Sequence, residues 1–258
     1  MNIIQGQPPK QIYLELKNFG QSSYIKNTRP NSILSFKKCK NIIDQIVNIN
    51  CKTISMFFTA FTFEHKNALE IIAYAKNNNL SVNIFTQLEK LNELSICVLN
   101  SILNNEDNIY IEYKNINMQS FLKNIHFVMR ENTRKNKSCN IYMKYNETLI
   151  DEIKKNFNKN IKENIIDKEF SINKFLKINE TIRIVPDIKF ICNKKCCYEN
   201  LIILSNGNVI FCIDDINGKM KTGNVFKENL IHIWNNKNMV KYRKKIKGEI
   251  KCLNSLVQ

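Results

Sequence analysis

The feature that most constrains this chain is a hydrophobic period that switches between two and about 3.6 residues, five times over. Residues 12–18 (IYLELKN) alternate apolar and polar side chains and read as a strand. Ser35 can cap a helix over 35–49, with Ile42, Ile43 and Ile46 on one face. Strands follow at 53–58, 81–86, 108–114 and 140–145, and helices at 65–79, 88–103, 117–136 and 148–164. Residues 167–169 and 181–185 are weaker strand candidates. Regular strand–helix alternation with crossovers of this length predicts an α/β fold built on a parallel sheet with right-handed connections. It leaves an open doubly wound sheet and a barrel as alternatives. In both, the loops at the carboxyl ends of the strands carry the site. The longest of those loops, FGQSSYIKNTRP, follows the first strand.

The second constraint is the placement of cysteine. Five of the nine, Cys192, Cys196, Cys197, Cys212 and Cys252, lie between residues 192 and 252. Within that stretch, residues 201–205 and 208–212 flank Asn206-Gly207, the preferred pair for a two-residue type I′ hairpin loop. Such a loop sets Ser205 opposite Asn208 and Leu201 opposite Cys212. Cysteines before and after a hairpin, joined by one from a distant segment, are a common metal cage. Cys39, Cys51, Cys97 and Cys139 stand alone and read as core or half-buried thiols.

The net charge of +16 is spread over both halves of the chain, amid abundant Asn, Ile and Lys. It therefore reads as solvated surface lysine, and a nucleic-acid partner is not expected. No run of apolar residues is long enough for a membrane span. The N-terminus has no secretory pattern, so a cytoplasmic protein with reduced thiols is expected, and metal ligation or core packing is favoured over disulfides. His65, in the loop after the second strand, reads as helix N-terminal polarity, and His232, off the apolar stripe of its helix, as a solvent-facing or capping group, with a fourth metal ligand as the alternative. Asp214-Asp215 reads as turn chemistry, and Trp234 as a core anchor. There is no Ser-His-Asp set, no Walker loop and no Gly-x-Gly-x-x-Gly motif.

Both halves resemble one family. Cys197-x9-Gly207-x4-Cys212, then Gly223-Asn224, then Leu230-x-x-Ile233-Trp234, is similar to the SPASM or shorter twitch extension of radical S-adenosylmethionine enzymes. The preceding α/β region is similar to that superfamily's partial (βα)5-6 barrel of TIM-like type. The resemblance implies a degenerate barrel over 1–185 and a small cysteine-rich α+β extension over 186–258. It also implies a [4Fe–4S] cluster held by some of the five clustered cysteines. Ser255 stands where the family usually has its last cysteine. Four cysteines would also suit zinc, and buried thiols without metal are the third alternative.

The departures from the family decide the expected function. The Cys-x3-Cys-x2-Cys motif after the first strand would fall at Gly20, Tyr24 and Asn27, and none is a cysteine. The glycine-rich segment that binds S-adenosylmethionine in the family corresponds to Thr59-Ala60-Phe61-Thr62-Phe63-Glu64-His65. Three thiolates with one open iron are needed to bind S-adenosylmethionine for radical chemistry, and Gly, Tyr and Asn do not supply them. The expectation is a non-radical accessory or recognition protein with no catalytic residue assigned. Its partner would be a peptide or protein, such as an active radical S-adenosylmethionine enzyme. The alternatives are an enzyme whose cluster is held unusually, modifying a peptide, protein or sugar, and a zinc-stabilised or metal-free interaction scaffold.

Overall fold

The computed structural model describes residues 7–19, 27–113, 118–134, 139–144, 162–165, 174–178, 182–185 and 199–248. The chain forms two compact units. One comprises Met1–Val82 with Phe190–Gln258, the other Asn83–Lys189. The expected boundary after residue 185 opens onto residues 186–198, which lie outside the described residues.

The first unit is organised around β1 (Gln11–Leu14). β2 (Lys17–Asn18) and β3 (Ser32–Ile33) form a small antiparallel pair just beyond it. β1 runs parallel to β4 (Thr53–Met56) on one edge and to β11 (Asn200–Ile203) on the other. β11 turns into antiparallel β12 (Asn208–Ile210), which pairs with β13 (Lys221–Asn224). In a parallel sheet the crossover connections cover both faces, so a central strand is buried on both. Ile12, Tyr13, Leu14, Glu15 and Leu16 are accordingly all buried. The alternation read in residues 12–18 is thus not a solvent face. Tyr13 joins Phe58, Ile202, Leu204, Ile210 and Ile213 in one apolar cluster, and Glu15, two residues on, points to the same face.

Helix α1 (Phe36–Asn48) starts where the sequence predicts, with the Ser35 hydroxyl accepting from the Lys38 amide at 3.3 Å. Its Ile42, Ile43 and Ile46 are fully buried. Asn50 follows it in the left-handed region (φ 59°), and Asn79 does the same (φ 58°) after α2 (Ala68–Asn77). With six glycines in 258 residues, asparagine takes the helix-ending role here. The expected start of a helix at His65 moves to Ala68, because Thr62–Glu64 forms a 3-10 turn first. α5 (Leu230–Asn235) and α6 (Lys237–Gly248) close the unit. Trp234 is buried, donates through Nε1 to the Gln7 carbonyl at 2.8 Å, and carries the Arg243 guanidinium 3.6 Å over its ring.

The hairpin differs from the sequence expectation by one residue. Ile203 pairs with Val209, the Leu204 amide donates to the Asn208 carbonyl, and the Gly207 amide donates to the Leu204 carbonyl. The loop is Ser205-Asn206-Gly207, with Gly207 at φ 84°, so it has three residues. Ser205 leaves the ladder because its amide and hydroxyl are both taken by Glu15.

In the second unit, β5 (Ser81–Thr86) contributes residues 83–86 to a parallel run with β6 (Asn108–Ile111) and β7 (Asn140–Lys144). α3 (Glu93–Ile102) starts five residues later than the expected 88, capped by the Asn92 side chain. Leu88 is instead held in a left-handed conformation (φ 65°). α4 (Met118–Arg134) follows β6. β10 (Ile182–Val185) runs parallel to β7, and β9 (Lys174–Ile178) and β8 (Lys162–Ile165) add antiparallel strands beyond it. The expected helix over 148–164 is corrected at its end, since 162–164 are strand. Its start, like the strand expected at 167–169, lies outside the described residues.

Candidate functional site

At the carboxyl end of β1, where a first-strand loop would carry a site, the chain has built a buried ion pair. The Arg29 guanidinium meets the Glu15 carboxylate with two parallel bonds, Nη1 to Oε2 at 2.7 Å and Nη2 to Oε1 at 2.6 Å. Their side chains are 6% and 0% exposed. A buried pair is stable only when the remaining lone pairs and protons are also satisfied. Here they are. Thr59 donates its hydroxyl to Oε1, and Ser205 donates its amide (3.0 Å) and hydroxyl (2.9 Å) to Oε2. Arg29 Nε donates to the Ile216 carbonyl at 2.8 Å. Asn18 accepts from Asn27 through Oδ1 at 2.9 Å and donates to the Pro30 carbonyl at 2.9 Å. Asn27 Oδ1 in turn accepts the Arg29 amide at 3.0 Å.

Of the three positions where the resemblance would place thiolates, Gly20 and Tyr24 lie outside the described residues. Asn27 is buried and committed to Asn18 and Arg29. The first thiol in the sequence, Cys39, is fully buried in α1, and burial pushes it up to about 12. Cys51 is raised by the same cause to about 11. Each stands alone in the core, and among the described residues neither belongs to a group of three His, Cys, Asp or Glu that could hold a metal ion. The donor set near β1 therefore does not fit a [4Fe–4S] cluster. The loop after β4 is likewise filled by protein. Thr59 donates to Glu15, Thr62 donates to the Met56 carbonyl at 2.7 Å, and Phe61 packs on Phe57 with ring centroids 5.9 Å apart. His65 is buried, with Nε2 against the Leu34 carbonyl at 2.7 Å and Nδ1 accepting from the Asn67 amide. It is a buried tie at the start of α2, in line with the helix N-terminal polarity read from the sequence.

Of the five clustered cysteines, Cys212 is described and is 1% exposed. Cys192, Cys196, Cys197 and Cys252 lie outside the described residues. Among the described residues, no group of three His, Cys, Asp or Glu could hold a metal ion. Three residues after Cys212, Asp215 takes the amides of Lys219 and Met220 at 2.9 and 2.7 Å. Burial, opposed by those two bonds, raises its pKa. The turn chemistry expected of this pair is present. Cys139 is buried and pushed up to about 12, and Cys97 is half-buried. His232 is exposed on α5.

The second unit carries a feature the sequence did not disclose. On one face of β5, β6 and β7, Phe85, Tyr110 and Tyr142 stand in register and stack. Their ring centroids are 4.6 and 4.9 Å apart, with interplanar angles of 11° and 15°. Asn83, Asn108 and Asn140 form the row on one side, with Asn108 Nδ2 donating to Asn83 Oδ1 at 2.6 Å. Glu112, two residues beyond Tyr110, is buried. Burial holds the Tyr110 hydroxyl up at about 12, so it remains a donor. Each tyrosine is read from sequence only as a strand former; the signal was its recurrence at matching strand positions.

Residues 192–254 match SPASM, the iron–sulfur cluster-binding domain. Among solved structures, BtrN in complex with AdoMet and 2-DOIA is similar over 92% of this chain and 87% of its own, at TM-score 0.59 and 13% identity. SuiB from Streptococcus suis bound to S-adenosylmethionine is similar over 92% and 68%, at TM-score 0.61 and 12% identity. The chain has a radical-SAM-type fold with a C-terminal SPASM domain. SuiB has also been solved with the precursor peptide SuiA, and that structure matches at TM-score 0.51 and 11% identity. Comparison with curated protein sequences finds no match. Within the SPASM domain, the hairpin of β11 and β12 and the Cys212 turn are the described parts of the cysteine region. Among the described residues no helix is long and apolar enough to cross a membrane.

Proposed function

We propose that this radical-SAM-type chain does no radical chemistry at the first strand, keeps one [4Fe–4S] cluster in its SPASM domain, and serves as an accessory or recognition protein for a peptide or protein partner. The observation that carries the reading is the Glu15–Arg29 pair. It fills the end of β1 with a buried, bidentate ion pair, while the cysteines nearest in sequence, Cys39 and Cys51, stand singly in the core. Cys212, with Cys192, Cys196, Cys197 and Cys252 as the other candidates, would hold the cluster. A set of thiolates is the donor chemistry such a cluster takes, and the cluster supplies one-electron transfer or a cross-link between segments.

A peptide partner is supported by the match to SuiB, which binds its precursor peptide. The stacked row of Phe85, Tyr110 and Tyr142 is the surface on this chain suited to it. Tyr110 and Tyr142 are half-buried beside the buried Phe85, and rigid aromatic area with a hydroxyl donor is what recognition sites favour. Arg183 occupies the next register position after Tyr142.

The test is iron and acid-labile sulfide content of anaerobically purified protein, wild type beside Cys212→Ala, with a parallel assay for reductive cleavage of S-adenosylmethionine. The reading expects about four irons and four sulfides per chain, lost in Cys212→Ala, and no cleavage. About eight irons, or cleavage above background, would show that the first-strand site is alive. Zinc without sulfide would make the SPASM domain a structural zinc module.

A further inference from the structure

We propose that the segment 27–30 after the first strand is a clamp on the turn that follows Cys212, and that Arg29 and Asn217 are positioning residues for the Cys212 thiol. The inference rests on the reading above only for the role of that thiol; the clamp itself is geometric. Three bonds reach from this segment to two consecutive residues 187 to 189 positions away. Arg29 Nε donates to the Ile216 carbonyl at 2.8 Å. The Thr28 amide and hydroxyl both donate to Asn217 Oδ1, at 2.8 and 3.1 Å. The turn so gripped is tied back to the cysteine. The Asp215 amide donates to the Cys212 carbonyl at 3.1 Å, and the Gly218 amide donates to the Asp215 carbonyl at 2.9 Å. The backbone direction leaving Cys212 is therefore set by Asp215, and Asp215 to Gly218 is set by the clamp.

Gly218 shows how close the two segments lie. It sits at φ +65°, and a Cβ there would meet Leu204 Cδ1 at 2.9 Å and Arg29 Cδ at 3.4 Å. Arg29 is itself fixed by Glu15, and Glu15 by Ser205 in the loop of the same hairpin that delivers Cys212. One buried carboxylate thus anchors both the hairpin loop and, through Arg29, the turn after the cysteine. A loop whose sequence cannot supply thiolates instead orients a cysteine supplied from elsewhere in the chain.

The experiment measures alkylation of Cys212 in metal-free protein and iron release to a chelator from loaded protein. It compares wild type, Asn217→Ala and Arg29→Lys. Asn217 is exposed, so Asn217→Ala removes the acceptor of two clamp bonds while leaving the buried ion pair intact. Arg29→Lys keeps the charge and loses the bond from Nε. Because native-state alkylation follows local opening, Cys212 should react about five-fold faster or more in Asn217→Ala, with Cys51 in the same molecule unchanged. Iron release should accelerate in the same order of variants. Unchanged Cys212 alkylation in folded Asn217→Ala overturns the clamp. Faster alkylation in a wild-type background that binds no iron upholds the clamp and overturns the cluster reading.

Discussion

Replacing Arg29 by Met removes the guanidinium while keeping an unbranched stem, and the structure sets a large expected cost. Glu15 is 0% exposed and its ion-pair partner 6%. Removing one member of such a pair leaves a desolvated charge, which costs about 3–5 kcal/mol. For a chain of this size that corresponds to a fall in Tm of roughly 6–20 °C. Replacing both partners, Glu15→Leu with Arg29→Met, removes the stranded charge. It does not restore full stability, because the Ser205 amide and the Ile216 carbonyl lose their partners. Each buried group left unmade costs about 1–3 kcal/mol. The double variant should therefore be less destabilised than the sum of the single ones by about 2 kcal/mol or more. Urea denaturation of the four proteins, followed by circular dichroism and by Trp234 fluorescence, measures the cycle. A cost below about 1 kcal/mol for Arg29→Met, or a coupling below about 0.5 kcal/mol, would mean that the pair is wet and that the end of β1 is open.

Gly218→Ala should lower stability by about 1–2 kcal/mol in the same assay, from the left-handed backbone alone, with the Leu204 contact adding to it. Asp215 has a raised pKa in the folded chain, so the folded state binds the proton more tightly than the unfolded state. Its contribution therefore weakens stability as pH rises from the ordinary carboxylate range through that raised value, and Asp215→Asn should remove this slope from the stability–pH curve. Iodoacetamide at pH 8 should leave Cys39, Cys51 and Cys139 unmodified in the native protein while Cys97 reacts, since the first three are buried and held near 12, 11 and 12. Peptide mapping by mass spectrometry reads this directly, and modification of Cys39 before global unfolding would contradict the packing of α1.

Much of the fold was legible because it is written in periods and caps, which are local. The Ser35 cap, the buried stripe of Ile42, Ile43 and Ile46, and the strand over Ser81–Thr86 stand where the sequence puts them. The misplacements are non-local. Residues 12–18 look like a half-exposed strand because Tyr13 and Glu15 alternate with Ile12 and Leu14. The layers that cover both faces of a central parallel strand bury them regardless. The hairpin slips by one residue because a carboxylate 190 positions upstream captures Ser205. The second departure comes from Glu15, and that is why the site was illegible as well. An acid in a strand and an arginine in a polar loop are, one by one, the commonest solvated residues in any sequence. What distinguishes them here is a single acid within five consecutive buried residues of a central strand. A carboxylate so placed is tolerated only when it is paired. The nearest cation that follows it, Lys17, is too close along the chain to turn back on its own strand, whereas Arg29 follows a loop long enough to return. Its bonds, with those of Thr28, run to the turn after Cys212, 187 to 189 positions away, and no local reading of residues 27–30 could place them there.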